Sequence, residues 1–69
     1  MDFTILRIHR KAKGLRLKDI APGLGISSGY LSMIERNLKN PSVQLIEDIC
    51  DKVDCKLMIL WTKKSWTVN

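Results

Sequence analysis

Hydrophobic residues recur every three or four positions up to residue 53, a spacing that predicts amphipathic helices. Four helices are expected, over residues 2–13, 17–24, 28–36 and 43–53. Pro22 should distort or end the second helix, because proline removes a backbone hydrogen bond inside a helix. Ser27 and Ser42 are expected to cap the third and fourth helices. Asn37 can take the left-handed conformation that ends a helix.

The pattern changes after Asp54, where hydrophobic residues begin to alternate as they do in a β-strand. The residues on one face of this strand are Cys55, Leu57, Ile59 and Trp61. A lone strand cannot satisfy its own backbone hydrogen bonds, so we expect it to pair with its copy in a homodimer. We therefore predict a mainly α-helical domain over residues 1–54, with residues 55–69 as its dimerisation strand. The alternative is a tail that folds back onto its own helices.

Residues 17–36 combine the features of a helix-turn-helix unit. Gly25 lies where the chain must turn tightly between two helices, and Ala21 is small enough for the helices to approach closely. The apolar residues expected to fix the angle between the helices are Ile20, Leu24, Ile26, Leu31 and Ile34.

Composition narrows the classes of function. The chain has 69 residues, with 12 Lys and Arg against 7 Asp and Glu, a net charge of +5 and a pI near 9.6. Such a basic balance is typical of a polyanion-binding domain, although solubility alone can also account for it. Two cysteines and one histidine do not supply the usual zinc ligands, and the apolar runs are too short for a membrane span. We expect no enzymatic activity, metal, cofactor or membrane contact.

Six short motifs follow one another in a characteristic order. They are RKAKGL (10–15), IA (20–21), LGIS (24–27), YLS (30–32), IER (34–36) and NPS (40–42). In this order they resemble the Xre family of DNA-binding domains, the Cro and phage-repressor type, over about residues 3–53. The resemblance implies a compact lambda-repressor-like bundle that binds double-stranded operator DNA. It also implies a cytoplasmic, nucleoid-associated transcriptional repressor of a bacterium or phage-infected cell, acting as a homodimer on a palindromic operator.

The same resemblance assigns site residues, with the third helix as the recognition helix. The implied base-facing residues are Ser28, Gly29, Ser32 and Met33. The implied contacts to the DNA backbone are Arg16, Lys18, Ser27, Tyr30, Arg36, Asn37, Lys39 and Asn40. The base-facing set contains no Gln, Asn or Arg for two-point hydrogen bonding to a base. We therefore expect backbone contacts, contact of Met33 with thymine methyl groups and DNA shape to contribute more.

One further feature of the sequence departs from the family pattern, and another matches it. Arg16 and Leu17 replace the frequent Thr and Gln, which removes a usual helix cap. Arg10 and Glu35 match a pair that the family buries between the first and third helices, and we expect this ion pair to hold the core together.

Two alternative functions remain open. One is an antitoxin-type DNA-binding autorepressor with a toxin as partner, and the other is a protein-interaction module without DNA binding.

Overall fold

Four α-helices and one 3₁₀ turn make up residues 1–56, which are the residues that the computed structural model describes. The helices are α1 (Thr4–Ala12), α2 (Leu17–Ile20), α3 (Ser28–Glu35) and α4 (Val43–Val53), and the 3₁₀ turn covers Pro22–Leu24. Residues 1–56 contain no strand, so the mainly helical prediction is confirmed. The predicted strand positions Leu57, Ile59 and Trp61 lie outside the described residues.

Local side-chain chemistry sets the ends of the helices. α1 begins two residues later than predicted, because the Asp2 carboxylate accepts the Thr4 backbone N–H at 3.0 Å. The hydroxyl of Ser27 accepts the Tyr30 N–H at 3.0 Å, and that of Ser42 accepts the Leu45 N–H at 3.1 Å. Both predicted N-caps are therefore confirmed. α3 ends one residue earlier than predicted, just before the turn in which Asn37 adopts a φ of 62°.

The predicted distortion of the second helix occurs at Pro22. α2 ends at Ile20, and Pro22 starts a tighter 3₁₀ turn in which its missing N–H costs no hydrogen bond. Gly25 then takes the left-handed conformation, with a φ of 72°. The Ile26 N–H closes the turn on the Ala21 carbonyl at 3.2 Å, which sets the direction of α3.

Every α-helix contributes buried side chains to the core, so the position of α3 depends on the whole domain. Its buried apolar members are Phe3, Leu6, Ile20, Ala21, Leu31, Ile34, Ile46, Ile49, Cys50, Val53 and Cys55. Leu31 and Ile34 are fully buried and anchor α3 against the other helices. Burial of such side chains contributes roughly 1.5–3 kcal/mol each.

Cys55 lies in the core of its own chain, and its predicted place at an interface between two copies stays a prediction. Asp54 ends α4 in the left-handed conformation, and the Cys55 N–H then donates to the Cys50 carbonyl at 2.9 Å. This turn directs the residue after it back onto the helix. Burial raises the pKa of the Cys50 thiol to about 11 and also raises that of Cys55. Both thiols therefore act as small hydrophobic side chains.

Residues 1–56 contain neither a membrane-spanning helix nor a cluster of metal ligands. None of the helices there is both long and apolar enough to cross a membrane, since α4, with 11 residues, falls short of the roughly 20 required. The same residues contain no group of three or more His, Cys, Asp or Glu side chains arranged to hold a metal ion.

Candidate nucleic-acid interface

α3 presents one face to the core and another to solvent. Leu31, Ile34 and Glu35 are buried on the inner face. The residues on the outer face, partly or fully exposed, are Ser28, Gly29, Ser32, Met33 and Arg36, the last lying just after the helix. Because helical side chains three or four residues apart share a face, these residues form two adjacent rows. The structure thus brings all four predicted base-facing residues together on an accessible surface.

Gly29 leaves the start of this outer face open. A Cβ atom built at Gly29 would come no closer than 4.0 Å to the nearest side-chain atom, the hydroxyl oxygen of Ser27. A side chain at this position would therefore extend into solvent without disturbing the fold. The N-terminal end of α3 also carries the positive end of the helix dipole, which favours a nearby anion.

The Arg10 side chain fixes the position of α3 relative to the first half of the chain. Its Nε and Nη2 donate to the two carboxylate oxygens of Glu35 at 2.8 and 3.0 Å, and both side chains are buried. Its Nη1 donates to the Leu15 carbonyl at 2.7 Å. One guanidinium group therefore connects α1, the loop before α2 and the end of α3.

An open groove of about 390 Å³, which we call the basic groove, lies beside the outer face of α3. Its charged lining residues are Arg7, Arg10, Lys11, Arg16, Glu35 and Arg36. Ser32 also lines it, so the groove and the outer face of α3 form one continuous surface. Arg7 and Lys11 were not among the residues predicted to bind DNA. Their spacing of four positions on one helix places them on the same face, and this spacing could have indicated a basic site.

Asp19 caps the start of α2, which the sequence did not predict. Arg16 has an extended backbone, and its N–H donates to the Asp19 carboxylate at 2.7 Å. Asp19 thus supplies the reverse half of a capping box, because an acid three residues after the cap can reach back to the cap N–H. Hydrogen bonds from the backbone and side chain of Arg16 lower the pKa of Asp19. The guanidinium of Arg16 remains largely exposed at the edge of the basic groove.

The loop after α3 is attached to the N-terminus of α1. The Asn37 side-chain oxygen accepts the Phe3 N–H at 2.9 Å, and its amide nitrogen donates to Asp2 at 3.3 Å. Hydrogen bonds from Thr4, and then from Asn37, lower the pKa of Asp2. The Asn37 amide group is therefore used inside the chain and holds the loop in place.

The other residues predicted to contact the DNA backbone differ in how exposed they are. Arg36, Lys39 and Asn40 are exposed on the loop after α3, and Lys18 is exposed on α2. Tyr30 is half-buried and packs against the core. Ser27 is exposed, but its hydroxyl oxygen already caps α3. The cationic side chains are thus the most available of the predicted contacts.

Comparison with known proteins identifies related sequences and a related fold. The family model HTH_3, described as Helix-turn-helix, matches residues 6–60. The chain is 38% identical over 63 residues to the HTH-type transcriptional regulator SinR of Bacillus subtilis (strain 168), covering 90% of the chain and 57% of SinR. It is 36% identical over 56 residues to the transcriptional regulator ClgR of Mycobacterium tuberculosis (strain ATCC 25618 / H37Rv), covering 81% of the chain and 50% of ClgR. The chain thus spans about half the length of these relatives.

A solved structure has the same fold. The complex of SinR protein with SinI protein superposes with a TM-score of 0.77 and 36% sequence identity. The superposition covers 100% of this chain and 68% of the solved chain. The helix-turn-helix prediction is therefore confirmed from family, relatives and structure together.

Proposed function

Because the chain belongs to the helix-turn-helix family, we propose that it binds double-stranded DNA through the outer face of α3 and regulates transcription. The observation that carries this proposal is the accessible face of Ser28, Gly29, Ser32 and Met33, with exposed cations close to it. These cations belong to the basic groove beside α3 and to Lys39 on the loop after α3. An α-helix fits the major groove of B-DNA, and nearby cations can contact the phosphate backbone.

The distribution of charge on the other elements supports this orientation. The exposed acidic residues of α4 are Glu47, Asp48 and Asp51. Such a surface repels a polyanion, whereas the exposed charged residues of the basic groove and of the loop after α3 are basic. Each phosphate that a basic side chain neutralises releases counterions, which makes the affinity depend strongly on salt concentration.

We also propose that sequence preference is modest at each base pair. Ser28 and Ser32 can each exchange single hydrogen bonds with base edges, and Met33 offers an apolar contact for a thymine methyl group. Neither kind of contact gives the two-point recognition that an Arg, Asn or Gln provides. Affinity then comes mainly from the backbone contacts, and DNA shape contributes to specificity.

The proposed assembly is a homodimer joined through residues 55–61, which acts as a repressor on a palindromic operator. The supporting observation is the uninterrupted apolar run of residues 57–61, because such a run favours aggregation when it is left exposed. Two copies related by a two-fold axis would set their α3 helices about 34 Å apart, one turn of DNA. A dimer bound in this way would occlude a promoter that overlaps the operator.

A second candidate function adds a protein partner to DNA binding. The support is the similar solved structure, which is a complex of SinR with a second protein, SinI. A toxin partner, as in an antitoxin-type autorepressor, would be one case of this candidate. The described residues leave the exposed apolar side chains of Ile8 and Leu38 available for such a contact.

A pair of substitutions at Gly29 tests the proposed DNA interface. Gly29→Glu adds a negative charge to the outer face of α3, and Gly29→Gln adds a neutral side chain of nearly the same size. Both variants should fold, because Gly29 has open space and glycine disfavours a helix by about 1 kcal/mol. Fluorescence anisotropy with a labelled duplex of about two helical turns gives the affinity of each.

The Glu variant should bind about tenfold or more weakly than the Gln variant, because a carboxylate facing phosphates is repelled. The affinity of the parent protein should fall steeply as salt is added. Equal affinities for the two variants, with circular dichroism showing both folded, would remove α3 from the interface and leave the protein-interaction alternative.

A further inference from the structure

The basic groove carries more positive charge than the fold uses. Five cationic side chains and one carboxylate line it, and Arg10 binds both oxygens of that carboxylate, Glu35. Arg7 and Lys11 are exposed, and within residues 1–56 neither forms an ion pair. Arg16 pairs with Asp19 at 3.3 Å on the surface, where such pairs contribute about 0–1 kcal/mol. The groove therefore presents cations that are available to an external anion.

We propose that the basic groove binds one phosphate of the DNA backbone through Arg7 and Lys11, which extends the DNA contact from α3 onto α1. This inference rests on the proposed function of α3. Ser32 and Arg36 belong both to the groove and to the outer face of α3. A phosphate in the groove thus belongs to the same duplex whose bases face α3.

The buried ion pair connects the elements that form the walls of the groove. Arg10 lies between Arg7 and Lys11 on α1, and its side chain turns inward to Glu35 and Leu15. The helix that carries Arg7 and Lys11 is thereby fixed against the end of α3 and the loop that carries Arg16. A preformed site loses less conformational entropy on binding than one that must assemble.

The chemistry of the groove is that of a phosphate site, and two sources can supply the anion. One is the phosphodiester backbone of DNA, which is the source we propose. The other is a free phosphate or a small phosphate-bearing molecule that binds without DNA. The experiment has one arm for each source.

The first arm measures how DNA affinity depends on salt in matched double variants. Arg7→Gln with Lys11→Gln removes two charges from the groove, whereas Lys13→Gln with Lys52→Gln removes two charges outside it. Lys13 pairs with Asp54, and Lys52 lies on α4. The negative slope of log affinity against log salt should become shallower by about one unit in the groove variant, because one phosphate contact is lost. The control variant should keep a slope close to that of the parent.

The second arm titrates inorganic phosphate into the DNA-free protein and follows the backbone amide signals of Arg7, Lys11 and Ser32 by NMR. No saturable shift should occur at low-millimolar phosphate. If the parent binds DNA and the groove and control variants have equal slopes, the groove inference fails while the proposed function stands. Saturable phosphate binding together with equal slopes would assign the groove to a free anion and overturn the inference. A parent protein that binds no DNA would instead overturn the proposed function itself.

Discussion

Arg10 and Glu35 face each other across two hydrogen bonds, of 2.8 and 3.0 Å, with side chains only 7% and 3% exposed. The pair joins α1 to the end of α3, and the third bond of Arg10, to the Leu15 carbonyl, adds the loop between α1 and α2. Each charge in such a pair loses its hydration and depends on the other to compensate. The orientation of the candidate DNA-binding face therefore depends on an interaction that does not itself touch DNA.

Removing one member of this pair should destabilise the protein far more than replacing both. Glu35→Ala leaves the Arg10 charge buried without its partner, and we expect a loss of about 3–5 kcal/mol in the free energy of unfolding. The double variant Arg10→Met with Glu35→Leu should lose less, because apolar side chains can fill the same space. Urea unfolding followed by circular dichroism measures both. Arg10→Lys, which keeps the charge but loses the two-point geometry, serves as a milder variant. A single variant as stable as the parent would contradict this account.

Met33 should influence which base pairs the protein prefers. Met33→Ala removes an apolar side chain from the outer face of α3, and we expect changes at the lower end of the roughly 1–3 kcal/mol that is typical of individual base pairs. Ile8→Ala is the matched control, because Ile8 is an apolar side chain that is 64% exposed on α1. Selection of bound sequences from a random duplex pool, followed by sequencing, measures the preference. If Met33→Ala selects the same sequences with the same discrimination as the control, then Met33 takes no part in base recognition.

The attachment of the loop after α3 should weaken in acid. Hydrogen bonds from Thr4 and Asn37 hold the pKa of Asp2 below its usual range. A lowered folded-state pKa gives stability that is present above the unfolded pKa of about 3.9 and is lost as the pH falls through the folded value. The midpoint of urea unfolding should therefore fall less for Asp2→Asn than for the parent between about pH 5 and about pH 3. Asp51→Asn, exposed on α4, is the control and should follow the parent. Identical pH dependence for Asp2→Asn and the parent would show that this carboxylate stabilises nothing.

The C-terminal segment should determine the oligomeric state. A chain that ends at Lys56 keeps Cys55, which completes the core, and removes the rest of the proposed dimer strand. This shortened chain should be a folded monomer with weaker DNA binding, whereas the full chain should sediment as a dimer. Ile59→Pro should act like the truncation, because proline removes a hydrogen-bond donor from the strand. A full-length protein that sediments as a monomer at the concentrations where it binds DNA would exclude the proposed dimer.

Local sequence rules predicted the features that depend on neighbouring residues. Ser27 and Ser42 cap their helices, Pro22 breaks α2 and Asn37 turns the chain in the left-handed conformation. Each of these outcomes follows from the backbone chemistry of a few adjacent positions. The helix-turn-helix unit was predictable for the same reason, because its turn and its buried residues all lie within residues 17–36.

Features that join distant parts of the chain were less predictable. The Asn37 side chain accepts a hydrogen bond from Phe3, which lies 34 positions away in the chain. The residues next to Asn37 in the sequence give no sign of that partner. The groove formed by Arg7, Lys11 and Arg36 exists only once α1 packs beside α3. The alternation of Cys55 with later residues suggested a strand, but it gave no sign that the turn at Asp54 packs Cys55 into the core of its own chain.

Mapping the backbone amide signals by NMR during a titration with duplex DNA tests the central claim most directly. The account predicts that the largest changes occur at Gly29, Ser32, Met33 and Arg36, while Glu47 and Asp51 on the acidic surface of α4 stay nearly unchanged. The changes should reverse when salt is added, because phosphate contacts supply most of the affinity. Saturable changes centred on α4, with the signals of α3 unaffected, would contradict the account.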